Sequence, residues 1–89
     1  MADQVVFEAN FAKFTNNQEL KNRLLATGDK LLVECSPSDS IWGNGLSIED
    51  SKRTPVEEWP GSNRLGKALV WVREEILRIE KARTETFSI

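Results

Sequence analysis

The feature that most constrains the fold is a long amphipathic pattern in the last third of the chain. Its apolar residues recur at the 3.6-residue spacing of an α-helix and predict one helix over residues 63–82, with Ser62 as N-cap. The stripe consists of Leu65, Ala68, Leu69, Val72, Ile76 and Ile79. Val70 and Trp71 lie off the stripe and indicate burial on a second side, while the charges at residues 73–81 indicate a solvated face. A chain of 89 residues can bury only one modest core, so this helix must carry much of it.

Two further elements and a loop are predicted before this helix. Residues 15–18 form a capping-box pattern that starts a helix, which ends before Gly28 in a left-handed turn. Residues 30–35 are apolar and β-branched between turn residues, which predicts a short strand. Residues 36–61 are rich in proline, glycine and small polar residues and predict a long ordered loop. The expected fold class is α+β and mainly helical, with the short strand between two main helices.

The composition argues against several classes of function. The net charge is −2 and the two signs are interspersed, unlike in proteins that track nucleic-acid phosphates. The chain has no histidine and one cysteine, Cys35, which we assign to buried packing, so we expect neither a metal site nor a cofactor. The N-terminus lacks signal-peptide features, and no apolar run approaches the roughly 18 residues of a membrane helix. We therefore expect a cytoplasmic protein without membrane contact.

Asp39 and Trp42 are the candidate catalytic residues, because a carboxylate and an aromatic ring lie close together in a glycine-flanked turn. The ring can stack on a base, and the carboxylate can hold a ribose or stabilise positive charge at the anomeric carbon. The structural alternative is that Asp39 closes an Asx-turn while Trp42 fills the core. Gly43 and Gly45 allow a ligand to approach the backbone, but the same pair is typical of an ordinary tight turn.

The start of the long helix is a second candidate binding element. Asn63 lies there beside the helix dipole and free amides, which can meet a phosphate or a ribose hydroxyl. Gly66, inside a helical pattern, indicates close approach by a ligand or by another backbone. The structural alternative is a Ser-capped helix that crosses another element at Gly66.

A series of motifs, in this order and spacing, resembles the YbiA-like (NADAR) N-glycosidase family. The motifs are A-K-F at 12–14, L-L-x-T-G-D at 24–29, L-V-E-C-S-P-S-D-x-I-W-G-x-G-L at 32–46, W-x-G-x-N-x-L-G-x-A-L at 59–69, and V-R at 72–73. The resemblance covers residues 7–79. It implies a cytoplasmic, metal-free hydrolase that cleaves N-glycosidic bonds in riboflavin-pathway intermediates or acts on ADP-ribose derivatives.

The resemblance also implies roles for individual residues. Asp39 would orient water or stabilise an oxocarbenium-like state, and Trp42 would stack on the base or wall the pocket. The candidate ligand-binding positions are Glu34, Gly43, Gly45, Asn63 and Gly66. Glu34 can instead serve to hold the loop through backbone amides. The expected ligand is a small nucleotide or a ribosylated base, and nucleic acid is expected only as an ADP-ribosylated substrate.

Family members resemble this chain only in their C-terminal half. We therefore interpret residues 1–89 as a single truncated domain, with residues 84–89 as a flexible tail. Three functions stay open. The first is an N-glycosidase that is complete only with another chain or a second copy. The second is a non-catalytic binder of ADP-ribose or NAD, and the third is an oligomeric structural protein whose apolar face is buried between copies.

Overall fold

Four α-helices and a short 3₁₀ turn form the regular structure of residues 3–85, the part of the chain that the computed structural model describes. The helices are α1 (Asp3–Thr15), α2 (Gln18–Leu25), α3 (Ile48–Arg53) and α4 (Arg64–Glu85), and the 3₁₀ turn is Val56–Glu58. The predicted long helix is confirmed as α4. It includes residues 84 and 85 of the predicted tail, whereas residues 86–89 lie outside the described residues.

The core lies where α1 and α2 pack against one side of α4. Val72 and Ile76 of α4 and Leu24 of α2 are buried at its centre. Partly buried apolar side chains surround them, namely Phe7, Phe11, Phe14, Leu25 and Leu32. Phe7 also stacks on Trp71, with ring centroids 3.8 Å apart. Trp71 is nevertheless 41% exposed, so the burial on a second side of α4 that the off-stripe residues predicted is only partial.

The predicted strand at residues 30–35 is wrong, because none of residues 3–85 forms a strand. Side chains occupy the hydrogen-bonding places that a neighbouring strand would fill. Asn63 Nδ2 donates to the carbonyl of Leu32 (3.0 Å), Asn63 Oδ1 accepts from the amide of Glu34 (2.9 Å), and Arg73 Nη1 donates to the carbonyl of Lys30 (2.9 Å). The described fold is therefore helical with a long ordered loop, and not α+β.

Arg73 corrects the interpretation of residues 73–81 as a solvated face. Its side chain is buried, and its guanidinium also donates to the hydroxyl of Thr27 (2.8 Å). Arg73 thereby ties α4 to the turn after α2, where Gly28 has a φ of 64° as the sequence predicts for a left-handed helix end.

The first two helices differ from their sequence prediction. Helix α1 was not predicted, because its apolar residues are spread around the helix and form no clear stripe. Thr15 ends α1 and donates its hydroxyl to the carbonyl of Phe11, so it does not start the next helix. The N-cap of α2 is Asn17, whose side chain accepts from the amide of Leu20 at 3.0 Å.

No helix in residues 3–85 is long and apolar enough to span a membrane.

Candidate functional site

The loop that contains Asp39 and Trp42 caps the N-terminus of α4 with its backbone. Four successive amides donate to carbonyls of this loop: Ser62 to Ser40 (2.8 Å), Asn63 to Gly43 (2.9 Å), Arg64 to Ile41 (3.2 Å) and Leu65 to Trp42 (3.0 Å). The amides of Asn63, Arg64 and Leu65 are three of the four that a helix otherwise leaves without partners. The amides predicted to meet a phosphate are therefore occupied by the protein itself, and Asn63, not Ser62, takes the N-cap position.

Asp39 closes the turn in which Trp42 lies. Its Oδ1 accepts from the amides of Ile41 and Trp42, both at 2.9 Å, which is the Asx-turn predicted as the structural alternative. Amide hydrogen bonds from Trp42 and Ile41, with a smaller one from Gly43, hold the pKa of the Asp39 carboxyl below its usual value. Asp39 is therefore a carboxylate at neutral pH, and its Oδ1 is used by the turn.

Trp42 is half-buried, and a cation covers one face of its ring. The guanidinium carbon of Arg64 lies 4.8 Å from the ring centroid, a cation–π arrangement. The same guanidinium pairs with the carboxylate of Asp3, with Nη2 at 2.7 Å and Nε at 2.9 Å from Oδ1. Sequence reasoning missed Arg64. The sequence feature that could have indicated Arg64 is its position as a cation in the first turn of a helix, where the helix dipole disfavours positive charge.

Asn63 and Gly66 fasten α4 to residues 32–34. Asn63 is buried, has a φ of 51°, and uses both ends of its amide on the backbone of Leu32 and Glu34. A Cβ at Gly66 would overlap the carbonyl oxygen of Leu32, so glycine is required for this approach. The close contact predicted at Gly66 is thus made by another backbone segment. A ligand contact by either residue stays a prediction.

Gly43 and Gly45 frame a buried asparagine that the sequence interpretation passed over. Asn44 is fully buried: its amide donates to Glu34 (2.9 Å), and its carbonyl accepts from Gly61 (2.8 Å). Its side chain donates to Ser51 Oγ (2.7 Å) and accepts from the amide of Leu46 (3.0 Å). The sequence feature that could have indicated Asn44 is its position between two glycines. In the structure one of them, Gly45, has a φ of 80°, a conformation that glycine adopts readily.

The structure brings the seven predicted site residues together at the start of α4. Glu34, Asp39, Trp42, Gly43 and Asn63 form a hydrogen-bonded cluster there, whereas Gly45 and Gly66 adjoin it through close approaches to Pro60 and Leu32. The cluster joins residues 34–45 to residues 61–66. A groove of about 190 Å³ shares Arg64 with it and is otherwise lined by Asp3, Lys67, Ala68 and Trp71. Within residues 3–85, no three metal-ligating side chains come together. The cluster thus presents the ionised carboxylate of Asp39, the exposed carboxyl side chain of Glu34 and the indole ring of Trp42, with the guanidinium of Arg64 beside it.

Comparison with known proteins identifies the family. The chain matches the NADAR domain over residues 1–77. It is 51% identical over 71 residues to N-glycosidase R617 of Acanthamoeba polyphaga mimivirus, which covers 80% of this chain and 42% of the relative. It is 39% identical over 79 residues to N-glycosidase YbiA of Escherichia coli strain K12, with coverage of 89% and 42%. The chloroplastic riboflavin biosynthesis protein PYRR of Zea mays is 37% identical over 81 residues, with coverage of 91% and 11%.

The chain spans less than half the length of these curated relatives. No solved structure matches the chain at a significant level. The family match nevertheless covers most of the 89 residues and contains the whole Asp39 loop and its attachment to α4. The resemblance drawn from the motifs is confirmed, and the chain belongs to the NADAR domain family.

Proposed function

We propose that this chain forms one wall of an N-glycosidase site that acts on ribosylated bases, such as intermediates of riboflavin biosynthesis, or on ADP-ribose derivatives. The observation that carries the proposal is the family match over residues 1–77, with relatives named N-glycosidase and riboflavin biosynthesis protein. The expected partner is a small nucleotide or ribosylated base, and the expected location is the cytoplasm. The domain is proposed to be the C-terminal half of a NADAR domain.

The state of Asp39 suits one role in this reaction. When the bond from the anomeric carbon to the base nitrogen breaks, its electron pair leaves with the base and positive charge develops on the ribose. An ionised Asp39 can stabilise that charge and orient the water that adds to the carbon. Its lowered pKa makes it a poor proton donor, so the proton for the leaving nitrogen comes from another group.

Trp42 and Arg64 suit the recognition of a nucleotide. An indole ring stacks on a base, and a guanidinium binds phosphate oxygens in pairs. In the described structure Arg64 occupies one ring face and is held by the exposed carboxylate of Asp3. An exposed pair of this kind contributes at most about 1 kcal/mol, so a ligand phosphate can replace Asp3 at little cost.

Hydrolysis of a ribosylaminopyrimidine phosphate and of an ADP-ribosylated base tests the catalytic proposal when this chain replaces the 71 matched residues of R617, so that the rest of the relative completes the site. Asp39→Asn keeps an Asx-turn acceptor but removes the charge, and Asp50→Asn is the matched control. Asp50 is also a carboxylate with a lowered pKa, which its bonds to Arg53 and Ser47 cause, but it lies in α3 outside the cluster. Loss of turnover in Asp39→Asn alone supports the proposal. Equal turnover in all three proteins would contradict it.

A second candidate function is non-catalytic binding of ADP-ribose or NAD. The observation that favours it is that Asp39 Oδ1 and both ends of the Asn63 amide serve the fold, while Trp42 and Arg64 offer binding chemistry. A Trp59→Phe/Trp71→Phe double variant leaves Trp42 as the single fluorophore for titration with each ligand. Saturable fluorescence change without turnover supports this function, and no change at millimolar ligand argues against it.

A further inference from the structure

One edge of the chain before the Asp39 loop has no internal hydrogen bonds. The backbone N–H and C=O groups of Leu31, Val33 and Cys35 make none with residues 3–85. The neighbouring even-numbered residues make all of the bonds of this segment to the rest of the protein. Their partners are Arg73 and Thr27 for Lys30, Asn63 for Leu32, and Asn63 and Asn44 for Glu34. We call the groups of Leu31, Val33 and Cys35 the 31–35 edge.

Residues 30–35 form no strand in the described structure, because their partners are side chains, but the alternation of bonded and unbonded residues is the one that a sheet edge shows. In an extended strand the N–H and C=O of one residue point to the same edge, and those of the next residue point to the opposite edge. The amide of Asn63 spans Leu32 and Glu34 as a neighbouring strand would. The paired side therefore faces the protein, and the 31–35 edge offers unpaired donors and acceptors at strand spacing.

Apolar surface lies beside the 31–35 edge. Leu31 is 55% exposed and Val33 is 38% exposed, although both are apolar and Val33 is also a strand-favouring residue. Leu31 also lines a groove of about 330 Å³ against α4, together with Val70 and the 45% exposed Leu77. A strand laid along the edge would place alternate side chains toward this groove. The edge therefore fits an extended segment with apolar residues at every second position.

We propose that the 31–35 edge binds a β-strand supplied by the part of a NADAR domain that lies outside these 89 residues. The matched segment makes up only 42% of both R617 and YbiA, so more than half of each relative remains to provide such a strand. The proposal rests on family membership and on the free edge, and it does not depend on the proposed activity. The added strand would run beside the residues that lead into the Asp39 turn, and so bring the rest of the domain to the site.

Co-expression tests this pairing. The 89-residue chain is produced with a tagged polypeptide that contains the part of R617 outside its 71 matched residues. The positive control is the matched segment of R617 itself, which must reassemble with that polypeptide. Co-purification of the wild-type chain is expected, with slowed hydrogen exchange at the amides of Leu31, Val33 and Cys35. No complex with the wild-type chain, or a complex in which these amides exchange as fast as before, would overturn the proposal.

Two substitutions at one position separate strand pairing from general contact. Val33→Pro removes an N–H that makes no bond in the described structure, and the thermal midpoint of the isolated variant checks that the fold is kept. Val33→Thr keeps the N–H and the β-branched shape. The proline variant is expected to bind at least about tenfold more weakly than the threonine variant, a difference of about 1.4 kcal/mol. Equal binding of the two variants would contradict the proposal, as would dimerisation of the chain alone through the 31–35 edge.

Discussion

Asn63 is predicted to contribute more to stability than an exposed helix N-cap such as Asn17. Its side-chain amide makes the two hydrogen bonds to Leu32 and Glu34 that a neighbouring strand would otherwise make. Truncation to alanine removes the bond from Nδ2 to the carbonyl of Leu32 and the bond from the amide of Glu34 to Oδ1. It also places a Cβ-bearing residue without a polar side chain at a φ of 51°. Asparagine tolerates this left-handed conformation better than alanine does.

The magnitude follows from these three losses. A hydrogen bond whose partner is left without a substitute costs about 1–3 kcal/mol, and water can reach this partly buried segment, so the lower half of that range applies to each bond. The left-handed alanine adds roughly 1 kcal/mol. We therefore expect Asn63→Ala to lower the free energy of unfolding by about 3–5 kcal/mol. This is a large fraction of the roughly 5–15 kcal/mol that stabilises an ordinary domain.

Urea unfolding followed by helical circular dichroism measures the effect. Asn63→Gly relieves the backbone strain but not the lost hydrogen bonds, so it should cost about 1 kcal/mol less than alanine. Asn17→Ala removes the exposed N-cap of α2 and should cost about 1 kcal/mol in total. The reasoning is refuted if Asn63→Ala is no more destabilising than Asn17→Ala.

Three further outcomes are expected. Gly66→Ala should lower stability by about 1–3 kcal/mol, because its Cβ meets the carbonyl of Leu32; a gain of about 1 kcal/mol from helix propensity would show that the contact is soft. Arg73→Met should lower the urea midpoint more than Arg78→Met does, since only Arg73 is buried and holds Thr27 and Lys30; equal midpoints would remove its assigned role. The pKa of Asp39 is lower in the folded state than in the unfolded state, so the ionised carboxylate stabilises the fold above the unfolded pKa and this stabilisation is lost as the pH falls through the folded pKa. In Asp39→Asn the thermal midpoint should therefore depend less on pH in this acidic range. The same pH dependence in variant and wild type would contradict the hydrogen-bond geometry.

Local patterns in the sequence predicted the parts of the fold that depend on local physics. The apolar spacing of α4 and the glycine after α2 specify their own conformations. Residues 30–35 have the composition of a strand, but whether they pair depends on which groups the rest of the molecule brings to them. Asn63 and Arg73, far away in sequence, supply those groups as side chains, and no local pattern reports that.

The candidate site was predictable as a set of residues but not as a geometry. The motif resemblance predicted Asp39, Trp42, Asn63 and the glycines, and the structure brings them together. The sequence did not predict which polar atoms of these residues are bonded within the fold and which are left for a ligand, because this depends on the three-dimensional contacts. Asp39 Oδ1 and the helix amides turn out to be used, and Arg64 turns out to lie on Trp42.

The most direct test of the account is the rate of N-glycosidic bond cleavage in a chimera. R617 would carry residues of this chain in place of its 71 matched residues, and single-turnover cleavage would be measured with and without Asp39→Asn. The account predicts that the chimera cleaves the substrate and that Asp39→Asn slows cleavage by about 100-fold to 1000-fold with the fold intact. An inactive chimera beside active R617, or an Asp39→Asn chimera as fast as its parent, would contradict the claim that this chain carries one wall of an N-glycosidase site.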